Sequence, residues 1–313
     1  MKLLTADLLR ERFVERATAR FARHVPDFVA LQALVREQGG AFRNDHGAIR
    51  TADPWVRDLF ARAAAVLGLQ RELDYEFPAK KLKSFDLQVP GDDAGQFKIF
   101  VSQVDLDAFP ATVAALIRED CAEQAAAVDH APFEALIGQA GRDGGLNEGD
   151  AAAFIAHFTD RLMNRNGPPL KRATLEAVAM ASGEAASALA LGPDFNHVTI
   201  DVRAAGFKGI EPMAEAMKAK GFRLLPAIQG APGTKLRQTA TLAATMDTPV
   251  READGRLGTT QTEKQFVEII ERSAVERHDR IFKNFLVANA EKIFDAASTK
   301  VGGAAPPAVG AGP

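Results

Sequence analysis

The chain has a single cysteine, Cys121, in 313 residues. That excludes an intramolecular disulfide and a zinc site built on several thiolates, and it fits a reducing cytoplasm. No apolar run approaches the roughly 20 residues that a membrane span needs. The Arg-rich N-terminus carries Asp7, Glu11 and Glu15 and lacks the apolar core of a signal peptide, so it reads as an amphipathic helix. Charge of either sign is not in excess. The 38 basic and 41 acidic residues give a net charge of −3, which offers no basis for nucleic-acid or membrane binding. No Gly-x-Ser-x-Gly occurs, and the glycines form neither a phosphate loop nor a dinucleotide fingerprint. Cys121 follows Glu119-Asp120, whose charges disfavour a thiolate nucleophile. The composition, 47% hydrophobic and 25% charged, is that of a globular protein with ample material for a core.

The pattern of residues predicts an α+β fold. Residues 1–40 read as two helices broken at Pro26, with Leu8, Leu9, Phe13 and Phe21 near helical period. Asn44 to Thr51 reads as a strand. Asp53-Pro54 then starts a helix that Gly68 stops. Further strands are expected near 82–89 and over Phe97–Val104, with a turn at Gly91–Gly95. Residues 108–190 are Ala-rich with no convincing strand, and read as a helical insertion. The second half repeats the order of the first. A strand at Phe195–Val202 precedes a helix ended by Gly221, a strand-like stretch Leu236–Met246 and a last strand near 265–272. Two βαβββ modules, 41–107 and 191–273, would form one cupped mixed sheet around a cavity. A C-terminal helix is expected over 274–297, and a disordered Gly/Ala/Pro tail over 298–313.

Three strand-like runs carry His46, His197 and Glu268. Two imidazoles and one carboxylate leave up to three open positions on an octahedral metal. That suits iron(II) with O₂ and a chelating 2-oxo acid; manganese is a plausible substitute, and zinc usually prefers four ligands. Strand side chains alternate faces, so His46, Ala48 and Arg50 point the same way, with Arg50 about 13 Å further along. A guanidinium there suits a bidentate grip on a carboxylate. His197, Thr199 and Asp201 share a face on their strand. Glu271, the rival to Glu268, lies on the opposite face beside Arg272. The remaining histidines read as helix-end, packing or solvated groups: His24, His130, His157 and His278.

The runs His46-Gly-Ala-Ile-Arg50-Thr51, Asn196-His197-Val-Thr, Phe100-Val101-Ser102, Gln238-Thr239-Ala240-Thr241 and Phe266-Val-Glu268-Ile-Ile-Glu-Arg272 resemble the 2-oxoadipate dioxygenase/decarboxylase family. That family is related to the vicinal-oxygen-chelate superfamily, and the resemblance covers about residues 5–290. It implies a vicinal-oxygen-chelate-like fold and an iron(II) enzyme of lysine degradation, turning 2-oxoadipate and O₂ into 2-hydroxyglutarate and CO₂. It implies His46, His197 and Glu268 as metal ligands and Arg50 as the substrate-carboxylate group. Where the family's Phe-Val-Ser strand often continues with Glu, this chain has Gln103, expected as a hydrogen-bond partner to a ligand or as a weak ligand. The chain is also shorter than the longer members of the family. Two rival readings stay open: a glyoxalase-like metal-dependent isomerase or lyase that works without O₂, and a non-catalytic small-acid-binding protein.

Overall fold

The computed structural model describes residues 2–91, 95–273 and 281–294. The N-terminal stretch folds into α1 (Ala6–Ala22) and α2 (Pro26–Glu37). Pro26 opens α2, where its missing N–H costs no helical hydrogen bond. β1 (Asn44–Thr51) leads into α3 (Pro54–Val66). The Asp53 carboxylate accepts from the Trp55 N–H at 2.8 Å to cap α3, and Gly68, at φ +77°, turns the chain out of it. β2 (Gln70–Phe77), β3 (Leu82–Gln88) and β4 (Lys98–Val104) complete a βαβββ unit. After α4 (Ala111–Ala125), α5 (Ala131–Asp143) and α6 (Glu148–His157) comes a π turn, Phe158–Leu162. Then follow β5 (Leu170–Lys171), α7 (Arg172–Ala181) and α8 (Gly183–Leu191). The second unit is β6 (Phe195–Asp201), α9 (Ile210–Ala219), β7 (Leu236–Ala240), β8 (Ala244–Arg251) and β9 (Leu257–Arg272), with α10 (Val287–Phe294) last.

The strands form one mixed sheet in the order β2-β3-β4-β1-β6-β9-β8-β5, with β7 also on β9. Within each unit the first strand runs parallel to the last, β1 to β4 and β6 to β9. The units join where β1 and β6 pair antiparallel. The two halves therefore meet at their equivalent first strands. The second unit is the less regular. Its expected single strand over 236–246 is split into β7 and β8, both antiparallel to the long β9. An outer strand survives only as the bridges Leu224–Thr241 and Gln229–Gln238. Two further expectations need correction. The 108–190 region does contain a strand, β5, which its two residues made illegible and which pairs with β8. The C-terminal helix begins at Val287 rather than 274, because 281–286 is irregular; residues 274–280, 295–297 and the tail lie outside the described residues.

The alternation along the strands sorts the core into two sides. Ile49, Val198, Val267 and Ile269 face a phenylalanine-rich layer under α1, α2, α3 and α6, where Phe13, Phe60, Phe158 and Phe195 are fully buried. Gly47 faces this side too, and a Cβ there would stand 2.5 Å from the Phe195 ring. Glycine is what lets that ring lie on β1. Burial of such side chains stabilises by about 1.5–3 kcal/mol each. The opposite face carries Ala48, Phe100, Tyr75 and Phe77 and is covered by α4, α7, α8 and Phe294. His46, His197 and Glu268 lie on that second face.

Candidate metal centre

His46, His197 and Glu268 come together. One ligand atom from each lies within 4.8 Å of the others, and all three residues are buried. The register explains the convergence. Ala48 of β1 pairs with His197 of β6, and His46 pairs with Thr199, which in turn pairs with Glu268 of β9. The two histidines are thus diagonal neighbours on adjacent strands, within reach of long side chains. His197 Nε2 is 3.3 Å and His46 Nε2 3.4 Å from the same carboxylate oxygen, Glu268 Oε2. The Thr199 hydroxyl sits between them, donating to Glu268 Oε2 at 2.7 Å and 3.0 Å from His46 Nε2. His197 stacks on Phe266, with ring centroids 4.7 Å apart.

Asp45 is the group that sequence reading missed. Its Oδ1 is 2.8 Å from His46 Nδ1. Arg272 grips Asp45 bidentately, Nε to Oδ2 at 2.7 Å and Nη2 to Oδ1 at 2.8 Å, and Lys98 Nζ stands 3.7 Å away. Neighbours on a strand normally face opposite ways. Here a register shift between Asn44 and His46 breaks the alternation and lets Asp45 reach the ring beside it. Burial alone would raise the Asp45 pKa, but the charges of Arg272 and Lys98 hold it well below the usual carboxylate range. Burial likewise opposes charging of His46, and Asp45 and Glu268 outweigh it to raise its pKa. His197 moves the other way. Burial, with the charges of His46 and Arg50 behind it, pushes its pKa well down, so it stands as a neutral imidazole.

The donor set fits a divalent metal. His46 Nδ1 is engaged by a carboxylate, which leaves Nε2 as the lone-pair atom, the usual outer support of a metal-ligating histidine. Phe100 occupies on β4 the place that Glu268 occupies on β9, since Phe100 pairs with Ala48 and Glu268 with Thr199. The first unit therefore offers one candidate ligand and the second two. Gln103 is corrected: it pairs with Thr51, three residues or about 10 Å beyond Phe100 and on the opposite face, and accepts from Arg57. It is neither a ligand nor a partner of one. Gln238, buried on β7, lines the cavity instead.

The sequence matches the profile of the 2-oxoadipate dioxygenase/decarboxylase family over residues 12–300. The chain belongs to that family. It is an enzyme family, and the fold agrees with it. A glyoxalase-superfamily protein from Ralstonia eutropha superposes with a TM-score of 0.78 at 22% identity, over 90% of this chain and 87% of that one. A hydroxyglutarate synthase from Oryza sativa, solved with 2-oxoadipate, gives 0.75 at 19% identity over 94% and 93%. A hydroxyglutarate synthase from Pseudomonas putida, also with 2-oxoadipate, gives 0.71 at 22% over 88% and 66%. No curated protein matches the chain in sequence.

In this member of the family the cavity at the three residues is nearly filled, at about 20 Å³. Phe100 closes one side; Phe285 and the α10 residues Ala290, Ile293 and Phe294 close another. Arg50 is buried on the same face. Its Nη1 is 2.7 Å from Glu184 Oε2 at the start of α8, and its guanidinium lies 5.3 Å from the Phe294 ring centre. Its Nε meets no acceptor among the described residues. His157 does not approach the centre; it pairs with His130 at 2.9 Å and stacks on Phe133.

Proposed function

We propose that the chain is a non-haem iron(II) dioxygenase and decarboxylase of a 2-oxo dicarboxylic acid, with 2-oxoadipate the best fit. The reaction balances as 2-oxoadipate plus O₂ giving 2-hydroxyglutarate and CO₂. The observation that carries this reading is the meeting of two imidazole nitrogens at one carboxylate oxygen in a buried site, a donor set suited to iron(II) with open positions. Membership of the family and the 2-oxoadipate bound to the Oryza and Pseudomonas synthases support the substrate class.

His46, His197 and Glu268 would hold the metal, and manganese or zinc would be its competitors. When bound, the metal supplies the O₂ chemistry and a chelation point for a 2-oxo acid. The protein supplies the rest. Asp45 fixes the His46 ring and its tautomer, and Arg272 and Lys98 fix Asp45. Thr199 donates to the Glu268 carboxylate and stands 3.0 Å from His46 Nε2, which ties that carboxylate to the His46 ring. Arg50 would take a substrate carboxylate through the guanidinium edge that Glu184 does not occupy. Phe100, Phe285 and Phe294 exclude water. A cavity of about 20 Å³ has room for about one water and not for a six-carbon acid, so Phe285 and α10 must shift to admit substrate.

The test of the ligand set is metal titration of folded variants. His197→Ala and His46→Ala are expected to lose iron(II) and manganese(II) binding while circular dichroism stays that of the parent chain. Full metal occupancy in either variant removes the assignment.

A further inference from the structure

Arg272, the last residue of β9, holds two parts of the molecule with one buried side chain. Nε and Nη2 grip Asp45 at 2.7 and 2.8 Å, and Asp45 in turn stands 2.8 Å from His46 Nδ1. Nη1 serves the irregular stretch before α10. It donates to the Phe282 carbonyl at 3.1 Å and to the Asn284 carbonyl at 2.9 Å. The guanidinium carbon lies 5.4 Å from the Phe285 ring centre. That ring meets the His46 ring edge to face, with centroids 4.8 Å apart. The stretch that covers the metal centre therefore reaches His46 by two routes, directly through Phe285 and at one remove through Arg272 and Asp45. Its ties to other side chains are longer: Gln88 Nε2 is 3.3 Å from Asn284 Oδ1, and the Phe285 N–H donates to the Tyr75 hydroxyl at 3.4 Å.

We propose that Arg272 is a positioning residue that couples closure of this stretch to the alignment of His46. The inference rests on the metal-centre reading above. A buried guanidinium needs acceptors for its N–H groups. With the stretch closed, Asp45 satisfies one edge and the two carbonyls satisfy Nη1. When the stretch moves aside to admit an acid, both carbonyls leave Nη1 and Phe285 leaves the face of His46. The guanidinium then turns toward other acceptors, and its fork on Asp45 loosens. The converse follows by linkage. A metal that fixes His46 also fixes Asp45, then Arg272, and so favours the closed stretch by the same factor. The planar fork is what permits this double service. A lysine ammonium in its place neutralises Asp45 as a point charge but has no second edge for the two carbonyls.

The experiment is hydrogen exchange of the full chain, read by mass spectrometry with and without Mn(II), beside calorimetric titration with Mn(II). In the parent, Mn(II) is expected to slow exchange of the peptides that span Phe285 and α10 at least about fivefold, the low end of coupling between sites. Arg272→Lys keeps the charge beside Asp45 and gives up the fork. It is expected to bind Mn(II) at least about fivefold more weakly, and to exchange at Phe285 and α10 equally fast with and without the metal. If Arg272 served Asp45 only as a counter-charge, lysine would replace it without loss. Slowing of the parent's size in metal-saturated Arg272→Lys therefore overturns the proposal. If Arg272→Lys is misfolded by circular dichroism, Tyr75→Phe is the second variant. It removes the acceptor of the Phe285 N–H and bonds neither Asp45 nor the three candidate ligands. It is expected to weaken Mn(II) binding about threefold, within the contribution of one hydrogen bond; unchanged affinity overturns the proposal. A parent that binds Mn(II) without slowing these amides overturns the coupling alone. A parent that binds neither Mn(II) nor iron(II) overturns the metal-centre reading along with it.

Discussion

Asp45 carries more of the site than its place in the sequence suggests. It is 3% exposed, it orients His46, and it neutralises two buried cations, Arg272 and Lys98. Asp45→Asn keeps the shape and removes the charge. Divalent-metal affinity is expected to fall by about 10–100-fold, the usual loss when the outer partner of a ligating histidine is removed. Stability is expected to fall by about 3–5 kcal/mol, because the buried cations lose their counter-charge. Metal titration and denaturant unfolding of the same variant measure both. A variant with parent-like metal affinity would show that Asp45 serves the cations alone. Cys121 is the residue whose inertness is expected. Burial first, then the charges of Asp53 and Asp120, push its thiol up to about 12. The raised value keeps it protonated below that pH, so alkylation by iodoacetamide at pH 8 should be roughly a thousandfold slower than for a free thiol. The rate should still be climbing at the alkaline end of the profile; a plateau near pH 9 would contradict it. At this scale the three metal-centre residues were legible because each sits on a strand whose parity is plain. Asp45 was not, because a local irregularity in β1 cancels the parity that sequence reading relies on. Gln103 was misplaced for the opposite reason. Parity does hold on β4, and it puts Phe100, not Gln103, opposite the centre.

Among elements, β6 was readable because Val198 and Ile200 alternate with His197, Thr199 and Asp201, and α3 because Asp53-Pro54 and Gly68 mark both its ends. The N-terminal half of β9 was not. Its Gly258-Thr-Thr-Gln-Thr-Glu263 run is polar because it forms a largely exposed ribbon with β8, where no hydrophobic period is required. The break between β7 and β8 is equally silent: Thr241, just past β7, still donates its N–H to the Val267 carbonyl and accepts from the Val267 N–H with its hydroxyl. α10 lies at the weak end of the fold. It is eight residues long, packs only one apolar face on the site and is entered through an irregular stretch. Backbone amides of Ala290 to Phe294 are expected to exchange with solvent at least about 100-fold faster than those of β1 and β6. Hydrogen exchange read by mass spectrometry checks this. Equal protection would mean that substrate reaches the metal centre by another route.

For the whole molecule, the sheet joint does the organising. Pairing β1 with β6 antiparallel brings the two equivalent histidines side by side, and the parallel neighbour β9 adds the carboxylate from the second unit alone. The repeat of element order pointed to two modules around one cavity, but not to which strands would join them. The sequence already offered one candidate ligand from the first unit, His46, and two from the second, His197 and Glu268; the register adds that Phe100 stands at the place equivalent to Glu268. The result is a buried cluster of three residues that could hold a metal ion. The most direct measurement is turnover after anaerobic iron(II) loading, with O₂ uptake, CO₂ release and 2-hydroxyglutarate followed together on 2-oxoadipate and a panel of other 2-oxo acids. One O₂ consumed and one CO₂ released per 2-hydroxyglutarate formed are expected. Conversion of a 2-oxo acid without O₂ uptake, or no conversion by fully iron-loaded protein, would contradict the dioxygenase reading.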